Sequence, residues 1–291
     1  MCGIFGVNAK YSVISPILDG LTKLEYRGYD SSGIAVIDEN KEIKTIRSKG
    51  KLINLKKKID KIKIIGKIGI GHTRWATHGV PSTTNAHPHT SDKVSIVHNG
   101  IIENYSLLKK ELKKKGYNFK SQTDSEVIAH LLSDELKKHN AEVAIKMTLS
   151  KLEGAFAIAI IFKDLRLLAG ARKGSPLAVG VSDDATFIGS DSVALAPFTK
   201  KIIYLEEGDS VFIQDKEMKI YNERFNEVKR QITYSSYNKD NFGKGNFDHF
   251  MQKEIFEQPH VVGDSLSRFV DPINKVINIP ELKINWKKIS K

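Results

Sequence analysis

The chain holds one cysteine, Cys2, directly after the initiator methionine, and a solitary thiol has a narrow range of chemistry. It cannot close an intramolecular disulfide, and it makes a poor start for a structural zinc site. If Met1 is trimmed, as a small second residue allows, Cys2 carries a thiol and a free α-amine on one residue. With a reference pKa of about 7.7 to 8.0, that amine can take the thiol proton directly or through a water, the arrangement of an N-terminal nucleophile with its own general base. The other reading is a small apolar residue opening a buried strand, and position alone leaves both open.

Arginine points to a second group. The net charge of +12 is nearly all lysine, spread with Leu and Ile at helical spacing along segments such as 55–63 and 107–115, as on solvated helix faces. No zinc-finger spacing and no aromatic RNA-reading motif occurs, which argues against a nucleic-acid partner. Two of the few arginines, Arg27 and Arg74, lie in the segments Tyr26-Arg27-Gly28-Tyr29-Asp30 and His72-Thr73-Arg74-Trp75-Ala76-Thr77-His78-Gly79. A planar fork rather than a point charge suits a carboxylate there. Arg27 reads equally as an ion-pair partner of Asp30. Asn99-Gly100 taken alone is a hairpin-turn signal, Asp124 reads as a cap for the helical run after it, and Trp75 reads as a core aromatic. Histidines 72, 78, 87, 89 and 98 lack an accompanying acidic ligand set, so neither a metal nor a cofactor is expected.

The elements that must position these groups alternate in type. With 291 residues and 40% hydrophobic content, the chain can bury a large core as one domain or two. Strands are expected at 2–7, 33–37, 43–47, 68–72 and 94–98, and a helix at 17–24 with Ser15 as cap and Pro16 at its first position. Helices follow at 104–115, 125–138 and 141–152, then strands at 155–162, 167–171, 177–181, 186–188, 201–205 and 210–214. Grouped rather than alternating helices argue against a Rossmann-type sheet and for packed sheets with helices outside. Residues 231–247 are polar and read as a linker or surface loop. A helix over 248–258 should stop at Pro259, with a second helical piece over 260–269. The longest apolar stretch, 155–162, is too short to cross a bilayer, and no secretory leader is visible. A cytoplasmic, reducing setting is the expectation, and it suits a catalytic thiol.

Six segments then occur in one order: Met1 to Gly6, Leu24 to Ser31, His72 to Gly79, Asn85-Ala86-His87-Pro88-His89, Val97 to Asn104 and Thr123-Asp124-Ser125-Glu126. Together they resemble the glutaminase domain of the class II glutamine amidotransferases, and within that family the amino-sugar branch, which aminates fructose 6-phosphate. Segments 171–177, 189–191, 205–209 and 250–255 extend the resemblance. The purine branch typically carries Tyr-Pro-Thr where this chain has Trp75-Ala76-Thr77, and Gln-Asp where it has Tyr29-Asp30.

The resemblance implies an α+β fold, the four-layer αββα sandwich of N-terminal nucleophile hydrolases, with a glutaminase domain over 2–230 and, over 231–291, a linker and the start of a sugar-isomerase region. It implies glutamine as substrate and Cys2 as nucleophile, with Asn99 and Gly100 as the oxyanion hole. Arg74 with Thr77 and His78 would bind the substrate carboxylate, and Asp124 its ammonium. Arg27 would support the nucleophile and Trp75 would help to gate ammonia. The family's isomerase half would begin after Lys291, so the sequence reads as an expressed fragment, a split-gene product with a separate sugar-phosphate isomerase as partner, or the product of a decaying gene. A catalytically silent remnant or glutamine-sensing module, or the glutaminase domain of another class II amidotransferase, is the alternative.

Overall fold

A two-residue alternation along the strands decides the architecture. In β1 (Gly3–Ala9), Phe5 and Val7 join one apolar cluster while Ile4 joins another. In β7 (Gly154–Phe162), Phe156, Ile158 and Ile160 face one way and Ala157, Ala159 and Ile161 the other. Strands apolar on both faces belong to inner layers. The computed structural model describes residues 2–62, 64–215, 217–235, 246–267, 269–271 and 274–277.

One sheet has the order β15 (Ile232–Tyr234), β11 (Lys201–Tyr204), β9 (Ala178–Val181), β10 (Ala185–Gly189), β1, β4 (Gly66–Arg74), β2 (Ser31–Asp38) and β3 (Ile43–Lys49). The other runs β14 (Glu227–Val228), β13 (Glu217–Tyr221), β12 (Ser210–Gln214), β8 (Leu167–Lys173), β7, β6 (Val94–Ile102) and β5 (His89–Thr90). Ile4, Ala35 and Ile70 of the first sheet share a cluster with Val97, Ile161 and Val211 of the second, so the sheets pack face to face.

Each outer face is covered by helices. Ile17 and Leu21 of α1 (Ile14–Leu24), Leu52 and Leu55 of α2 (Leu52–Ile59) and Leu195 of α6 (Ser192–Leu195) pack on Phe5 and Val7. Leu108 of α3 (Tyr105–Lys114), Leu132 of α4 (Glu126–Glu135) and Ile145 of α5 (Ala141–Leu149) pack on Ile96, Phe156 and Ile158. The result is the expected αββα order. No helix among the described residues is long and apolar enough to cross a membrane.

Two expectations change near the C-terminus. The compact unit Met1–Tyr237 extends past residue 230, because Ile202 pairs with Thr233 and adds β15 to the sheet edge. Most of the expected linker, 236–245, lies outside the described residues. In the second unit, β16 (Val270–Asp271) pairs with β17 (Val276–Ile277), and α7 (Phe250–Ser267) contains Pro259 rather than stopping at it. Proline removes one intrahelical bond there; the helix around it is exposed, so water can satisfy the freed carbonyl.

Candidate active site

The same alternation builds the site. Ile68 and Ile70 of β4 point into the layer between the sheets, and the unbroken register up to Arg74 carries His72 and Arg74 along the same face. On β6, Val97 faces that layer and Asn99 comes two residues later. At this end of the sandwich polar groups therefore replace aliphatic ones. Pairing of Gly3 with Thr73 brings the start of β1 beside the end of β4. There Cys2 Sγ is clasped by the backbone of residue 75, accepting from the Trp75 N–H at 3.2 Å and donating to the Trp75 carbonyl at 3.4 Å.

A cavity of about 410 Å³ opens at this point. Its walls include Cys2, Arg27, Arg74, Trp75, Thr77, His78, Asn99, Gly100 and Asp124, the residues to which the resemblance assigns roles. Asn99 Nδ2 donates to the Cys2 carbonyl at 3.0 Å. Gly100 has φ +126°, and a Cβ there would lie 2.0 Å from the Ala155 oxygen, so only glycine fits. Arg74 is 3% exposed; its Nη2 donates to the carbonyls of His78 and Gly79, ordering the loop that carries Thr77 and His78. Its Nη1 is buried with no protein partner among the described residues. Asp124, equally buried, accepts from the Ile102 N–H at 2.8 Å. The cavity thus offers a thiol, a cationic fork with a spare donor, and a carboxylate with acceptor capacity left.

Burial pushes the Cys2 thiol pKa up, against the opposing pull of the Trp75 N–H and Arg74, so the resting sulfur is protonated and requires a base to attack. Burial also lowers the Arg74 pKa. Four buried histidines are held neutral, first by desolvation: His72 and His89 are pushed down to about 3, His98 to about 4, and His87 well below its ordinary value.

Several local readings change. Asn99-Gly100 is not a turn: β6 continues through it, with Gly100 opposite Phe156. Asp124 does not cap α4, whose N-cap is Ser125, and spends one oxygen on β6 instead. Arg27 pairs with Asp191 rather than Asp30; Asp30 accepts from the Ala76 N–H at 2.8 Å. Trp75 is 45% exposed and its ring meets Tyr29 edge-on at 5.5 Å, so it is no core aromatic. His87, His98, Ser125, Ser175 and Ser190 also line the cavity. Their segments carry the resemblance, but no residue type or spacing separates Ser175 or Ser190 from other serines. For His72 the signal was available, since it stands two residues before Arg74 on a strand.

Comparison with known proteins agrees with this geometry. Residues 72–197 match the family described as "Glutamine amidotransferase domain". The whole chain aligns at 50% identity with glutamine–fructose-6-phosphate aminotransferase [isomerizing] of Mesorhizobium japonicum and at 44% with that of Zymomonas mobilis, covering 48% of each relative. It therefore spans about half the length of the curated relatives it matches. Among solved structures it is similar to the glutamine phosphoribosylpyrophosphate amidotransferase of B. subtilis, with a TM-score of 0.68 and 28% identity over 78% of this chain and 50% of that one. Fold, cavity and relatives agree with this match, and residues 72–197 carry a glutamine amidotransferase domain.

Proposed function

We propose that the chain hydrolyses glutamine to glutamate and ammonia through a Cys2 thioester. With Met1 removed, the freed α-amine takes the thiol proton and Sγ attacks the side-chain carbonyl carbon of glutamine. The oxyanion is met by the Asn99 side-chain amide and the Gly100 N–H. Collapse breaks the C–N bond, the amine returns its proton to the leaving nitrogen, and ammonia departs. Water then attacks the thioester, releasing glutamate and restoring the thiol. Arg74, with Thr77 and His78 on the loop it orders, receives the substrate carboxylate, and Asp124 receives the ammonium. Arg27, held by Asp191, lines the cavity with the nucleophile and supports it, and Trp75 shields the exit of ammonia.

One observation carries this reading: the sole thiol, a buried guanidinium with an uncommitted Nη1 and a buried carboxylate line one cavity, matching the amide, carboxylate and ammonium of a free amino acid. The acceptor we propose is fructose 6-phosphate, since relatives at 44–50% identity are named for it. Its binding would fall to an isomerase region on the same or a separate polypeptide.

Glutamate release is measured for the purified chain, with Met1 removal checked by mass, and for Cys2→Ala. The expected loss on Cys2→Ala is at least about 10³-fold. Equal release by both proteins, or none from trimmed wild type, would sink the glutaminase reading, and the second result would leave a glutamine-binding module to test by calorimetry.

A further inference from the structure

We propose that His72, buried behind the cavity wall, is a positioning residue that sets the orientation of the Asn99 side-chain amide. The inference rests on the reading of Asn99 as an oxyanion donor.

The geometry fixes the proton. His72 Nε2 lies 3.1 Å from the His98 carbonyl and 2.9 Å from Asn99 Oδ1. A backbone carbonyl only accepts, so Nε2 must carry the hydrogen and donate to both oxygens. That N–H leaves the near end of the Asn99 amide to its oxygen alone, because a reversed amide would set two donors against each other. The Asn99 nitrogen is thereby turned toward Cys2, where one hydrogen bonds the Cys2 carbonyl at 3.0 Å. The second hydrogen remains for an oxyanion forming over Sγ.

The environment keeps His72 in this form. It is fully buried in β4 and lies against the His87 ring, the centroids 4.2 Å apart and the planes tilted by 35°. Nδ1 has no protein partner among the described residues, so nothing competes to move the proton from Nε2. The unit is directional: β4 supplies the donor, β6 the amide, and Cys2, the residue leading into β1, the carbonyl. An amide free to rotate would present its oxygen to the developing negative charge for part of the time, and that loss appears in the transition state rather than in substrate binding.

His72→Leu removes the donor, and His72→Gln places a side-chain N–H near the former Nε2. Removing one oxyanion donor outright costs about 10²–10³ in kcat, so misorienting it should cost about 30–100-fold in kcat for His72→Leu, with KM changed less than about 3-fold. His72→Gln should recover at least about 5-fold of that loss, and His72→Leu/Asn99→Ala should be no slower than Asn99→Ala alone within about 3-fold. A KM effect as large as the kcat effect, no rescue by glutamine, or additive losses in the double variant would overturn the proposal.

A second measurement does not depend on turnover. The two Asn99 Nδ2 protons, followed by NMR, should exchange with water at least about 10-fold faster in folded His72→Leu than in wild type. Unchanged exchange would overturn the positioning role. Absence of Cys2-dependent glutamate release from wild type would instead defeat the glutaminase reading, with the exchange comparison still deciding what His72 does.

Discussion

The layer between the two sheets is filled in two ways, and the change falls within single strands. Along β4, Ile68 and Ile70 pack against the facing sheet, whereas His72 and Arg74 at the strand's end join the polar site. Along β6, Val97 gives way to Asn99. The aliphatic part stabilises the fold at about 1.5–3 kcal/mol per large buried side chain. The polar part costs stability: it buries neutral imidazoles, and His72 Nδ1, both His87 ring nitrogens and Arg74 Nη1 lack protein partners among the described residues. One continuous surface is thus divided into a region that holds the sheets together and a region held in place by them.

The sharpest way to break this comparison is to change one side chain in each region. Gly100→Ala should lower glutamine hydrolysis by about 10³-fold, worth about 4 kcal/mol, because the new Cβ meets the Ala155 oxygen at 2.0 Å and forces β6 to shift at the site. Ile70→Ala should cost about 2–4 kcal/mol of unfolding free energy while kcat/KM of the folded fraction changes less than about 3-fold. Denaturant titration and steady-state kinetics on both variants check this. Equal losses of stability and turnover in the two would show that the layer is not divided.

Sequence revealed the aliphatic part of this division well and the polar part unevenly. Runs of Ile and Val mark strands whichever face they serve, and the grouping of helices between 104 and 152 pointed to packed sheets with helices outside, though only the fold shows that these three cover one sheet. Cys2, Arg74, Asn99 and Asp124 were legible because each sits in a distinctive segment. Their partners were not. Asp191 and Asp30 are both plausible anions for Arg27, and only the fold decides between them. Asn-Gly signals a turn unless the paired strand demands a continuous ladder, as β7 does. Pro259 signals a stop, yet an exposed helix can carry it. In each case the short-range rule was sound and a long-range contact or solvent outweighed it.

The buried imidazoles make the comparison sensitive to acid. Their pKa values are lowered in the native state, to about 3 for His72 and His89, about 4 for His98, and well below the ordinary value for His87. An unfolded chain binds protons at these groups near pH 6.5 while the native chain does not, so stability is fully present above about pH 6.5 and is lost as pH falls toward the native values. Each histidine contributes a slope of up to about 1.4 kcal/mol per pH unit in that window. Glu126, brought down to about 2 despite its burial by hydrogen bonds from the Lys120 and Ser121 N–H groups and the Ser121 hydroxyl, adds a further loss below about pH 4.5. Thermal unfolding between pH 7 and 5 should show Tm falling with pH, and His87→Leu should flatten the curve by about one proton's worth. A Tm independent of pH across this range would mean that these rings are not held neutral.

The smallest expected effect concerns Trp75, where backbone and side chain do different work. Its N–H and carbonyl hold the Cys2 sulfur, while the residue stands 45% exposed with Tyr29 as the ring's aromatic neighbour. An edge-on aromatic pair contributes about 0.5–1.5 kcal/mol, less when half exposed. Trp75→Ala should therefore cost under about 1 kcal/mol of stability and about 3-fold in kcat/KM for hydrolysis. Trp75→Pro deletes the N–H donated to the sulfur and should lower kcat/KM by at least about 10-fold more than the alanine variant, with glutamate release as the readout for both. If alanine proves as damaging as proline, the ring itself takes part in hydrolysis, and the polar region extends beyond the buried layer onto the exposed lip of the cavity.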